Sequence, residues 1–156
     1  AAILIHDRLE GFGPLGEDIH TFSNNSIAQV AALKQIEIIE RDHLLEHTNA
    51  IGSFFGEKLA TLRQKYPCIG DIRQVGLHVG VEFVKDPTTK EPDMVMAQTI
   101  KHIALHMGLI LGEAGYRMNV LKIKPPLIIT AEEATEVLCI FEAAIQAAMQ
   151  KVNSHV

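Results

Sequence analysis

The stretch from Leu77 to Phe83 constrains the fold more than any other. Leu77, Val79, Val81 and Phe83 alternate with His78, Gly80 and Glu82. Successive side chains of a strand point to opposite faces, so this segment has one apolar face. Such a strand needs neighbours beside it and a layer packed on its apolar side. A second strand, Asn119 to Lys124, is stopped by Pro125-Pro126, since proline cannot donate to a ladder.

Helical periodicity supplies the covering layer. From Ile27 to about Tyr66, the apolar residues Val30, Leu33, Ile36, Leu44, Ile51, Phe55, Leu59 and Leu62 recur at helical spacing. Asn25 or Ser26 stands where an N-cap is wanted, Asp42 and His43 divide the run into two helices, and Pro67 and Gly70 end it. Between Asp93 and Met107, a stripe of Met96, Ala97, Ile100, Ile103, Ala104 and Met107 predicts another helix, with Gly108 at its C-terminal cap. Leu109 to Leu111 reads as a short strand before a loop from Gly112 to Met118. Thr130 and Glu133 have capping-box spacing, opening a last helix through Val137, Ile140, Phe141, Ala144, Ile145 and Met149. The fold class expected is therefore α+β, a small mixed sheet with helices covering one face. Aromatic residues make up only 5% and Trp is absent, so aliphatic side chains must fill the interior.

Charge and termini narrow the function classes. A net charge of −5 with scattered Lys and Arg argues against a nucleic-acid surface, which needs a basic stripe to neutralise phosphates. The opening run Ala1-Ala2-Ile3-Leu4-Ile5 is too short for a membrane span or a signal-peptide core. It reads as a strand already under way, and the chain as a piece of something longer. Cys68 and Cys139 lie far apart with no C-x-x-C partner, which reads as two buried thiols in a reducing cytoplasm.

Several patterns invite chemistry. Gly11-Phe12-Gly13-Pro14-Leu15-Gly16 matches G-x-G-x-x-G by letter, but a dinucleotide site needs those glycines to follow a strand directly and open a helix, and here they read as loop. His43-Leu44-Leu45-Glu46-His47 has the zinc-binding H-x-x-E-H spacing, but it lies where the helix pair bends and no third ligand announces itself. His102 and His106 share a helix face and read as exposed polar groups, so no metal site is expected. Thr21, in a Ser/Asn-rich turn before a helix, can donate its hydroxyl to a phosphate or simply serve the cap. Lys122 alternates with Leu121 and Ile123 and so leaves the apolar face of its strand.

Three segments, in order, resemble the C-terminal third of the class III pyridoxal-phosphate aminotransferases, the group of ornithine and 4-aminobutyrate aminotransferases. Thr21-Phe22-Ser23-Asn24-Asn25-Ser26 resembles T-[FY]-G-G-N-P, matching at Thr21, Phe22 and Asn25. Gly70 to Leu77 resembles G-D-[VI]-R-G-x-G-L, departing at Gln74, and runs into Gly80-Val81-Glu82-Phe83-Val84-Lys85-Asp86. Lys122-Ile123-Lys124-Pro125-Pro126-Leu127 resembles R-[IF]-x-P-P-L, with lysine for arginine. The resemblance implies a C-terminal domain of a fold-type I transferase, with residues 1–25 a remnant of the large cofactor domain and 26–156 the small domain. It implies that Thr21 binds the phosphate of pyridoxal 5'-phosphate in a neighbouring subunit, hence a homodimer, and that Lys122 contacts the substrate. The cofactor-holding lysine has no counterpart here, so no catalytic residue is assigned and the chain alone is expected to be silent.

The lysine keeps a positive charge but loses the planar fork that grips a carboxylate in two places. In that respect it resembles the phospholyase branch, while Gly70 to Pro92 also resembles dialkylglycine decarboxylase. The rival from another class is a stand-alone binding or dimerisation domain, because small α+β layers serve many roles.

Overall fold

The computed structural model describes residues 6, 8 and 25–153, and the chain divides into two compact units, 1–44 and 45–156. The glycine-rich segment Gly11 to Gly16 and Thr21 lie outside the described residues.

In the first unit, helix α1 (Ser26–Arg41) starts at Asn25, whose side chain accepts from the Ala28 amide at 3.1 Å. That bond satisfies one of the donors left unpaired at a helix start. The run ends where the sequence bends it: His43 has φ of 50°, a left-handed conformation that no α-helix contains. Helix α2 (Leu44–Lys65) carries the chain into the second unit.

The second unit holds the sheet. Strands β1 (Ile69–Val75), β2 (His78–Phe83), β3 (Gly112–Ala114) and β4 (Val120–Ile123) lie in the order β1-β2-β4-β3. The α+β class expected from sequence is found, and all three strand pairs are antiparallel. Helix α3 (Met94–His106) bridges β2 to β3, and α4 (Ala131–Asn153) follows β4. Both begin on side-chain caps. Asp93 accepts from the Met96 amide at 2.9 Å; Thr130 and Glu133 exchange bonds of 2.8 and 3.2 Å as a capping box. The end of α3 is a Schellman turn: Gly108, at φ 91°, donates to Leu105, and Leu109 donates to Ala104 at 2.8 Å.

One face of the sheet is sealed. Val79, Val81 and Phe83 of β2 and Leu121 and Ile123 of β4 are buried with Phe55 and Leu59 of α2, Ile100 of α3 and Phe141 and Ile145 of α4. Phe83 and Phe141 meet edge to face with centroids 6.4 Å apart, which adds to the roughly 1.5–3 kcal/mol gained by burying each ring. The other face carries no helix contacts of this kind and is open.

Two strands differ from the sequence expectation. The stretch Leu109 to Leu111 is not a strand; the residues that pair with β4 are Gly112 to Ala114. Leu111 is buried and Ile110 exposed, so the apolar letters there report core anchoring rather than pairing. Strand β1 lacks an apolar alternation because Gln74 points to the core side and Gly70 has no side chain. Gly70 is required at its place: a Cβ there would lie 2.5 Å from Cγ1 of Val84. The two thiols are not both buried as expected. Cys139 is exposed on the outer side of α4, and Cys68 is half-buried, its burial pushing the thiol pKa up.

Candidate functional site on the open sheet face

The register of the sheet builds the site. Arg73 opposes Gly80, Gly80 opposes Lys122 and Lys122 opposes Gly112, so these four residues form one row across all four strands. All four Cα–Cβ directions in such a row point to the same face, and here it is the open one. Two long cationic side chains therefore alternate with two residues that have none. The result is a hollow of about 380 minus 40, that is ≈ 340 Å³, lined by Arg73, His78, Gly80, Val120 and Lys122 among others.

Lys122 is half-buried, and among the described residues its ammonium has no hydrogen-bond or ion-pair partner. Its stem lies across Gly112, where an added Cβ would stand 3.0 Å from Cε. Arg73 is held in place by two long contacts, Nη2 to Glu82 at 3.4 Å and Nε to Asp71 at 3.5 Å. Glu82 in turn accepts from Asn119 Nδ2 at 3.4 Å, and that buried amide also donates to the Phe83 carbonyl at 2.9 Å. The row is thus a cationic surface whose two charges are positioned from opposite sides of Gly80, and its chemistry is that of an anion contact.

The turn between β1 and β2 is fixed from below. Gln74 Nε2 donates to the carbonyls of Gly52 on α2 and of Gly76, at 2.6 and 2.8 Å. Gly76 has φ of 54°, and a Cβ on Gly52 would sit 2.8 Å from the Gly76 oxygen. Only glycine permits that approach. The glutamine that departs from the family pattern is accordingly a clamp on the turn at the end of the strand that carries Arg73.

The other sequence patterns do not converge here. His43 lies in the left-handed turn and His47 on α2 directs Nε2 to the Ile129 carbonyl at 2.8 Å, so the H-x-x-E-H letters do not share one helix face. His102 and His106 are exposed on α3 and face each other, Nε2 to Nε2, at 3.1 Å. Among the described residues no group of three or more His, Cys, Asp or Glu could hold a metal ion, and no helix is long and apolar enough to cross a membrane. Sequence reasoning reached Lys122 but missed Arg73 and Gly80 as its neighbours; the register that joins them is not visible until β1 is paired.

Comparison with known proteins places this fold. The chain is 37% identical over 132 residues to a probable 4-aminobutyrate aminotransferase of Bacillus subtilis, covering 85% of this chain and 30% of that enzyme. It is 39% identical over 109 residues to an ethanolamine-phosphate phospho-lyase homolog of Caenorhabditis elegans, covering 69% of this chain and 23% of that one. A transaminase structure from the marine bacterium Virgibacillus superposes with a TM-score of 0.79 at 27% identity, over 86% of this chain and 31% of the other. An aminotransferase of Bacillus anthracis gives 0.70 at 36% identity, over 74% of this chain and 27% of the other. The chain therefore spans about a third or less of the length of these relatives. Residues 1–145 match the family described as Aminotransferase class-III, and the chain belongs to that family.

Proposed function

We propose that this chain is the C-terminal, substrate-facing part of a pyridoxal-phosphate-dependent enzyme that moves an amino group between an amine and an oxo acid. The observation that carries this reading is Lys122: a half-buried ammonium without a partner among the described residues, on the open face of a sheet, at the position where the family pattern has its substrate-binding arginine.

Pyridoxal phosphate, when bound, supplies an electron sink for chemistry at the carbon bearing the amine. The donor set of the open face fits the anionic end of a substrate and offers nothing for the cofactor ring. Holding the cofactor phosphate falls to Thr21, whose hydroxyl would donate to it from the neighbouring subunit of a homodimer. Lys122 holds the far end of the substrate, and Gly80 and Gly112 keep the approach to it clear. In this reading residues 1–25 belong to the cofactor domain and residues 26–156 to the small domain of a cytoplasmic enzyme.

A second reading is favoured by the lysine itself. A point charge suits a phosphate better than it suits a carboxylate, which arginine grips with two parallel bonds. Elimination of phosphate from a phosphorylated amine is then the alternative reaction.

The native gene product, purified and supplied with pyridoxal phosphate, tests both. Amine-dependent conversion of an oxo acid to an amino acid supports transamination; release of inorganic phosphate from a phosphorylated amine supports elimination. Turnover of no amine in either assay overturns the enzyme reading. The 156-residue chain alone is expected to turn over neither.

A further inference from the structure

We propose that the row Arg73, Gly80, Lys122 is a seat for a tetrahedral oxyanion carried by the substrate, with Gly80 as its floor and Arg73 as a second, specificity-determining contact. The proposal rests on the reading of Lys122 as the anion contact and extends it to two residues on neighbouring strands.

The geometry makes the case. Arg73 and Lys122 each oppose Gly80, so their backbones stand two strand spacings apart, roughly 10 Å. Both side chains line the same hollow. The space between them is kept by the absence of a side chain on Gly80, where an added Cβ would meet nothing closer than Cγ1 of Val120 at 3.4 Å. A carboxylate has two oxygens in one plane and is satisfied by a single guanidinium fork. It cannot use a second cation that approaches from the opposite side. A phosphate, phosphonate or sulfonate presents three oxygens in a pyramid and can offer one edge to the guanidinium of Arg73 and another oxygen to the ammonium of Lys122.

The surrounding carboxylates fit this arrangement. Glu82 and Asp71 contact Arg73 only at 3.4 and 3.5 Å, which orients the guanidinium while leaving donors unused. Lys122 has no carboxylate partner among the described residues. The seat thus carries two cations, one of them partly compensated, and favours a group of higher negative charge.

The test is a titration of the 156-residue chain with inorganic phosphate and, separately, with acetate, followed by amide chemical shifts. The seat predicts shifts at Gly80, Arg73 and Lys122 with phosphate binding about tenfold or more tighter than acetate, a ratio worth about 1.4 kcal/mol. Gly80→Ala places a methyl group on the floor with only an ordinary contact to Val120, so its core resonances should be retained while phosphate binding weakens about tenfold. Arg73→Met should weaken phosphate more than acetate, and Lys122→Arg should restore what Lys122→Met loses. If Lys122→Met abolishes binding while Gly80→Ala and Arg73→Met leave it unchanged, the seat is overturned and the contact at Lys122 stands alone. If phosphate shifts none of the three residues, the seat is overturned outright. Neither result bears on amine turnover by the native gene product, which separately decides the enzyme reading.

Discussion

The two faces of the sheet are built from the same four strands and obey opposite rules. On the covered face Val79, Val81, Phe83, Leu121 and Ile123 are all buried against helices, and every position is defined by what it touches. On the open face the row Arg73, Gly80, Lys122, Gly112 is defined by gaps: two cations separated by residues with no side chain. Substitution on the first face should change whether the chain folds. On the second it should change what the folded chain binds. That difference separates residues that hold the sheet from residues the sheet presents.

The largest effect is expected at the centre of the covered face. Phe83 is fully buried and meets Phe141 edge to face, so Phe83→Ala should destabilise the chain by about 3–5 kcal/mol through lost burial and a residual cavity. Urea unfolding would measure it as a lower midpoint. A loss under about 1 kcal/mol would mean that the helices do not seal this face as described.

Gly70 gives a smaller effect of a different kind. It has no side chain to lose, but the methyl of Gly70→Ala would enter Cγ1 of Val84 at 2.5 Å. The strand already carries an irregular register between Ile69 and Asp71, and both Arg63 and Lys90 donate to the Gly70 carbonyl, at 3.1 and 2.9 Å. Backbone movement is therefore restrained on two sides. Overpacking of this kind costs about 1–3 kcal/mol, and Gly70→Ala paired with Val84→Ala should recover part of it. Absence of coupling between the two substitutions would show that the contact is not what requires glycine here.

Acid should weaken the helix layer before it touches the open face. Hydrogen bonds from Lys65 at 2.7 Å and from Tyr66 at 2.9 Å hold the Glu142 carboxyl below its ordinary range. A carboxylate whose pKa is lowered by folding contributes stability that is present above its unfolded pKa and is lost as pH falls through the folded value. The midpoint of unfolding should thus decline below the normal carboxylate range, and Glu142→Gln should flatten that decline. Gln146 donates to the same Tyr66 hydroxyl at 2.7 Å, which keeps the network joined when the charge is removed. An unchanged acid slope in Glu142→Gln would assign the decline to other carboxylates.

The covered face was legible in the sequence because burial imposes a period: Leu77 to Phe83 alternate, and the stripe from Met96 to Ala104 repeats at helical spacing. The caps at Asn25 and Thr130 were legible for a local reason, since each bond spans three residues. Strand β1 was not legible, because Gln74 uses its core-side position to bond two carbonyls rather than to bury apolar surface. Nor was β3, whose Gly112-Glu113-Ala114 has poor strand propensity and is held by pairing with β4 and by Glu113, bonded to Gln98 and Lys101 of α3. Lys122 was reached through a resemblance in letters. The residues beside it in space could not be, because a row across strands joins positions 73, 80, 112 and 122 that no local pattern connects.

The smallest expected change in stability is also the sharpest test of the comparison. Lys122→Met keeps the stem that lies over Gly112 and removes only the ammonium, which has no partner among the described residues. No hydrogen bond or ion pair is broken, so stability should move by no more than about 0.5 kcal/mol. Phosphate binding should fall sharply in the same protein. Loss of more than about 1 kcal/mol would mean that the charge serves the fold, and the division between a face that holds and a face that presents would fail at the residue on which the functional reading rests.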